Sequence, residues 1–104
     1  MYARITQAQG DIAKLDSGIE GFRELVVTAA RRVDGFAGAM FLVDRSTGKA
    51  IGLTLWDTKE AREESLAAIQ EARARALQEV GSTQNPEIEL YDVAVLEGFT
   101  ADRR

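Results

Sequence analysis

The 104-residue chain has no cysteine, no histidine, one proline and one tryptophan. Without cysteine there is no disulfide framework, zinc ribbon, iron–sulfur cluster or thiol nucleophile. Without histidine the commonest general base is missing, and so is the usual haem and zinc ligand. No metal site and no cofactor is therefore expected. Basic residues are also short, 13 against 17 acidic, and the formal net charge of −4 has the wrong sign for neutralising phosphates, so nucleic acid is not expected as a partner. No apolar run approaches the ~20 residues of a membrane-spanning helix, and Met-Tyr-Ala-Arg-Ile-Thr-Gln at the start has no signal-peptide core. A cytoplasmic protein that does not engage a membrane is expected.

What the chain does have is an uncharged strand. Phe36 to Val43 reads Phe-Ala-Gly-Ala-Met-Phe-Leu-Val, apolar on both parities, so both faces of the strand need cover. Around it the periodicities set out four strands and two helices. Tyr2 to Gln9 is a strand candidate. Ser17 and Glu20 have capping spacing ahead of Ile19, Phe22, Val26, Ala29 and Val33, which fall on one helical stripe. Arg45-Ser46-Thr47-Gly48 offers a hairpin turn with glycine at the position that needs positive φ, and Lys49 to Trp56 returns as its partner strand. Asp57 and Glu60 repeat the capping spacing before a second helix that carries Ala61, Ser65, Ile69, Ala72, Ala76 and Val80 on one face and ends at Gly81. Arg62, Arg73 and Arg75 alternate there with Glu60, Glu63, Glu64 and Glu71, which reads as a solvated face. Ile88 to Glu97 is the last strand.

Strand, helix, strand, strand, helix, strand is the order of the ferredoxin-like split βαβ fold, an α+β architecture with a four-stranded antiparallel sheet and both helices on one face. One domain over residues 1–98 and a tail over 99–104 are expected. The bare face of such a sheet is about 500 Å², more than a soluble monomer usually exposes, and pairing two copies would bury roughly 1,000 Å². A homodimer closed through the sheet face is expected. Pairing Asp44 with Lys49 puts Phe36, Gly38, Met40 and Leu42 on one face with Ile51, Leu53 and Leu55. The other face takes Ala37, Ala39, Phe41 and Val43 with Ala50, Gly52, Thr54 and Trp56. The second set mixes small residues with an indole, so a pocket is expected there, beneath the helices.

Leu53-Thr-Leu-Trp-Asp-Thr-Lys-Glu-Ala61 resembles the antibiotic biosynthesis monooxygenase family of dimeric α+β barrels, whose third strand ends in Trp before a helix opening with acidic residues and Ala. Val33-Asp-Gly-Phe-Ala-Gly38, a helix exit into the second strand, is similar to the same family. The resemblance implies sheet-to-sheet dimers, a pocket between sheet and helices, and in some members cofactor-independent oxygenation of aromatic substrates. Two departures stand out. Ser65 occupies a place where many members carry histidine, which argues against haem oxygenation. Gly52 stands where polyphenol-oxidising members can carry Asn, four residues before the Trp.

The candidate pocket residues are Trp56, Thr54, Gly52, Phe41, Phe22, Tyr91 and Arg4. Phe22, Phe41 and Trp56 would exclude water, and Arg4 or a tyrosine would stabilise charge on a phenolic substrate that itself supplies the electron to oxygen. Tyr2, Tyr91 and Asp92 are candidates for deprotonating it; Tyr91 and Asp92, being adjacent in a strand, point to opposite faces. Trp56 is also readable as a plain core tryptophan, and Arg4 as half of an edge or inter-subunit salt bridge. The alternative for the whole chain is a non-catalytic ligand-binding or stress-related dimeric module of the same fold.

Overall fold

The computed structural model describes residues 1–99; of the expected 99–104 tail, residues 100–104 lie outside the described residues. Four strands, β1 (Tyr2–Gln9), β2 (Phe36–Val43), β3 (Lys49–Trp56) and β4 (Glu87–Asp92), form one antiparallel sheet in the order β2-β3-β1-β4. This is the ferredoxin-like order. Between β1 and β2 the chain makes a 3₁₀ turn (Ile12–Lys14), α1 (Leu15–Gly21), a π-helical segment (Phe22–Val27) and α2 (Thr28–Arg31). Between β3 and β4 it makes α3 (Lys59–Ala68) and α4 (Gln70–Glu79). No helix among the described residues is long and apolar enough to cross a membrane.

The β2–β3 hairpin forms in the expected register. Asp44 N–H donates to the Lys49 carbonyl at 2.8 Å, the Asp44 carboxylate accepts from Ser46 N–H at 2.9 Å, and Gly48 takes φ 83°. One position departs from expectation. A bulge at Ala37 lets Phe36 pair with Trp56 while Gly38 pairs with Leu55, so Phe36 joins Trp56 on the helix side and not Met40 and Leu42 on the bare side. A bulge adds one residue to a strand and so exchanges faces across it. Beyond it, Gly38, Met40 and Leu42 share the bare face with Ile51, Leu53 and Leu55.

Helix boundaries also differ from expectation. The first helical run starts earlier than Ser17, with Asp11 accepting from Ala13 N–H to cap the 3₁₀ turn. Its π-helical segment is wider than an α-helix, so inward positions recur every four residues and Ala30, not Ala29, joins Phe22 and Val26 among the buried residues. Thr58, not Asp57, caps α3, accepting from Ala61 N–H at 3.0 Å. The expected single second helix breaks at Ile69 (φ −110°, ψ 6°). β4 stops at Asp92, short of the expected Glu97, because β1 begins at Tyr2 and offers no partner further on; Val93 N–H donates to the Met1 carbonyl and the chain leaves the sheet. The core lies between helices and sheet around Phe22, Val26, Ala30, Trp56, Ala61 and Ile69, with Leu15, Ala50 and Val80 as a second cluster.

Candidate functional site

Arg4, in the middle of β1, pairs with Thr54 of β3 on one side and Leu90 of β4 on the other, which turns its side chain toward the helices. It is 3% exposed. Its Nη2 donates to Ser65 Oγ at 2.6 Å and to the Arg62 carbonyl, and Ser65 Oγ in turn donates to the same carbonyl at 2.6 Å. Ser65 thus holds the arginine in place. Arg4 Nε and Nη1 are buried without an acceptor, as is Arg73 Nη1 from α4.

These two arginines close one end of a cavity of about 50 Å³ between sheet and helices. Thr6, Gly52 and Thr54 line it from the sheet, Phe22 and Val26 from the π-helical segment, Ile69, Arg73 and Leu77 from the second helical run, and Phe41 from β2. Phe22 stacks on Phe41 at 4.7 Å and 20°. A Cβ on Gly52 would lie 3.0 Å from Phe22 Cε1, so the ring occupies the space that a side chain at position 52 would fill. Two larger hollows are shallower. One, about 500 Å³, lies between the helices over Asp16, Glu20, Glu24 and Arg75; the other, about 330 Å³, lies over Met40 and Arg23. Neither contains a buried charge.

The electrostatics are one-sided. Arg4, Arg62 and Arg73 sit together, and the two salt bridges among the described residues, Arg23–Glu20 and Arg45–Asp16, are on the surface elsewhere. Burial pushes the Arg4 proton affinity down to about 10, helped by repulsion from Arg73 and Arg62, and burial lowers that of Arg73. Arg62 is partly satisfied: its Nη1 donates to the Ala3 and Tyr91 carbonyls at 3.3 and 3.1 Å and its guanidinium lies 5.5 Å from the Tyr2 ring centroid, while its Nε is buried without an acceptor. An unsatisfied buried donor costs about 1–3 kcal/mol, and more when charged. The cavity therefore has an apolar wall and a cationic end that lacks acceptors.

Of the candidate residues, Arg4, Phe22, Phe41, Gly52 and Thr54 line the cavity. Trp56 does not. It is 0% exposed, donates from Nε1 to Thr54 Oγ1 at 3.0 Å and meets Phe36 edge-on at 5.6 Å, so it packs in the core behind Thr54. Tyr91 is also misplaced in the expectation. It pairs with Ala3, one residue out of phase with Arg4, and so projects from the opposite, bare face, where a hydrogen bond with Glu89 raises its phenol above the ordinary value. The reading of Arg4 as half of an edge salt bridge fails on its burial. The reading of the second helix as solvated fails at Arg62, which is buried, and at Arg73, which is half-buried; Arg75 is exposed. Among the described residues no three metal-ligating side chains gather.

No protein-family model matches the chain. Two uncharacterized proteins of Mycobacterium tuberculosis are 33% and 35% identical over 96 and 97 residues, in each case 92% of this chain. The chain spans only about two fifths of their length, 42% and 40%. Among solved structures, a monooxygenase of Streptomyces coelicolor in complex with nanaomycin D superposes with TM-score 0.71 at 17% identity, covering 93% of this chain and 92% of that one. A putative antibiotic biosynthesis monooxygenase from Nitrosomonas europaea gives 0.69 at 15%, covering 91% and 100%. A protein of unknown function from the same organism gives 0.73 at 11%, covering 95% and 94%. At such identities the likeness establishes the fold, which monooxygenases and proteins of unassigned activity share.

Proposed function

We propose that this chain, which has the fold of the antibiotic biosynthesis monooxygenases, binds a small apolar or aromatic molecule in the cavity between its sheet and its helices. The observation that carries this reading is the cavity itself, walled by Phe22, Val26, Phe41 and Ile69 and lined also by Arg4 and Arg73, both of which carry buried guanidinium nitrogens with no protein acceptor. Native cores leave few buried donors unpaired, and two arginines with such donors in the lining of one cavity point to a missing acceptor. The resting volume of about 50 Å³ is well below the ~150 Å³ that holds benzene in an apolar cavity. A ring therefore enters by displacing Leu77 or turning Phe22. The protein acts as a homodimer in this reading, because Met40 and Leu42 stay 37% and 48% exposed on a bare face they share with Ile51, Leu53 and Leu55.

Two observations bear on catalysis and they pull apart. A phenol bound with its oxygen toward Arg4 and Arg73 would ionise more readily, and a phenolate gives up an electron to oxygen more easily than a phenol does. Oxygenation would then insert one oxygen atom at a ring carbon and release the other as water, the substrate losing four electrons in passing from phenol to quinone. Against this, no carboxylate or imidazole lines the cavity to take the phenolic proton, and Trp56 is walled off. These favour a binding module over an oxygenase. Titration of the labelled protein with phenol and hydroquinone, followed by NMR, tests the binding: saturable shifts should centre on Phe22, Val26, Phe41 and Gly52. Shifts confined to other surfaces would remove the proposal. Oxygen uptake above a no-protein control with the same compounds would restore the oxygenase.

A further inference from the structure

We propose that the ligand of this cavity is an organic monoanion, a compact ring-bearing carboxylate or enolate whose charged oxygens lie between Arg4 and Arg73; this rests on the cavity being a ligand site. The argument is one of missing partners. Arg4 is among the most enclosed charged groups in the chain at 3% exposed, yet only its Nη2 is used, on Ser65 and the Arg62 carbonyl. Its Nε and Nη1, the Nη1 of Arg73 and the Nε of Arg62 are shielded from water and have no acceptor. Arg62 stands close by and adds a third positive charge, while the carboxylates of α3 and α4, Glu60, Glu63, Glu64, Glu71 and Glu79, are all exposed.

A neutral ligand would leave this charge uncompensated in a site of low polarity. An oxyanion compensates it and supplies acceptors for N–H groups already in place, and charge-assisted hydrogen bonds of this kind are the stronger sort. The remainder of the lining restricts the rest of the molecule. Beyond the arginines the cavity offers Phe22, Phe41, Val26 and Ile69, two threonines and no further charge, which suits one anionic group on one apolar ring. Ser65 is a positioning residue here, since it fixes Nη2 and so the aim of the guanidinium.

The experiment compares benzoate with benzamide, which has the same shape and no charge, by calorimetric titration of the full chain at neutral pH. Benzoate should bind at least about tenfold tighter, the factor expected of one or two charge-assisted hydrogen bonds. Arg73→Met should keep the fold, because the arginine is half-buried and makes no hydrogen bond that the fold needs, and should cut benzoate affinity about tenfold and benzamide affinity clearly less, narrowing the ratio between them. Benzamide binding as tightly as benzoate would overturn the charge assignment and leave the cavity intact as an apolar site. An Arg73→Met variant that binds benzoate like the parent would remove Arg73 from it. If neither compound binds, the anion proposal falls together with the ligand-site reading beneath it.

Discussion

Replacing Trp56 by Phe separates a core tryptophan from a ligand contact. The indole is fully enclosed, against Phe36 on one side and among Val26, Ala30, Ala61 and Ile69 on the other. Complete truncation of such a residue costs about 3–5 kcal/mol. A phenyl ring keeps most of the contacts, so the packing loss should be nearer 1–2 kcal/mol. The substitution also removes the 3.0 Å bond from Nε1 to Thr54 Oγ1, worth about 1 kcal/mol, and leaves a buried hydroxyl without its donor. The sum is about 2–3 kcal/mol. With a urea m-value of about 1–3 kcal/mol/M, the unfolding midpoint should fall by roughly 1–2 M. Circular dichroism at fixed protein concentration reads it, the concentration being held because self-association would shift the midpoint. Benzoate affinity should change by less than about twofold, since Trp56 does not line the cavity. A variant of parental stability that no longer binds ligand would refute this reasoning and return Trp56 to the site.

Four further outcomes follow. Ser65→Ala removes one acceptor from Arg4 Nη2 and should weaken benzoate binding about three- to tenfold; unchanged affinity by calorimetry would show that the Arg62 carbonyl suffices. Benzoate stays ionised throughout the alkaline range, so its affinity should hold to about pH 9 and decline as Arg4 loses its proton near 10; a decline centred near pH 7 would implicate another group. By the same linkage, protonated Arg4 opposes folding, because its folded-state proton affinity lies below the unfolded one, and that penalty fades as pH rises through about 10. Leu53→Glu, on the bare face between Met40 and Ile5, should convert a dimer to monomers in sedimentation velocity; a persisting dimer would place the interface elsewhere.

Strand order and hairpin register were legible because they rest on signals one residue wide. The Gly48 turn fixes the Asp44–Lys49 pairing, and alternation then sorts Gly52 and Thr54 from Leu53 and Leu55. The bulge at Ala37 was not legible, since an uncharged strand carries no polar residue to mark which face has been exchanged. Tyr91 failed for a related reason: the register of an edge strand against β1 is set by pairing with a distant segment. The cavity's cationic end was half-readable. Arg4 stood out as a lone charge in an otherwise uncharged strand, whereas Arg62 and Arg73 were hidden in an alternation of charges that usually means solvent. Their spacing held the clue, because Arg62, Ser65, Ile69 and Arg73 follow at three, four and four residues and so share a stripe with a buried isoleucine. The π-helical widening that brings Phe22 over Gly52 has no marker in composition.

The most direct test of the account is a crystal structure of the protein grown with benzoate. The account predicts the carboxylate between Arg4 and Arg73, the ring against Phe22 and Phe41, and Leu77 or Phe22 displaced from its resting position. Benzoate absent from the cavity, with Arg4 and Arg73 still without an acceptor at saturating ligand, would contradict it.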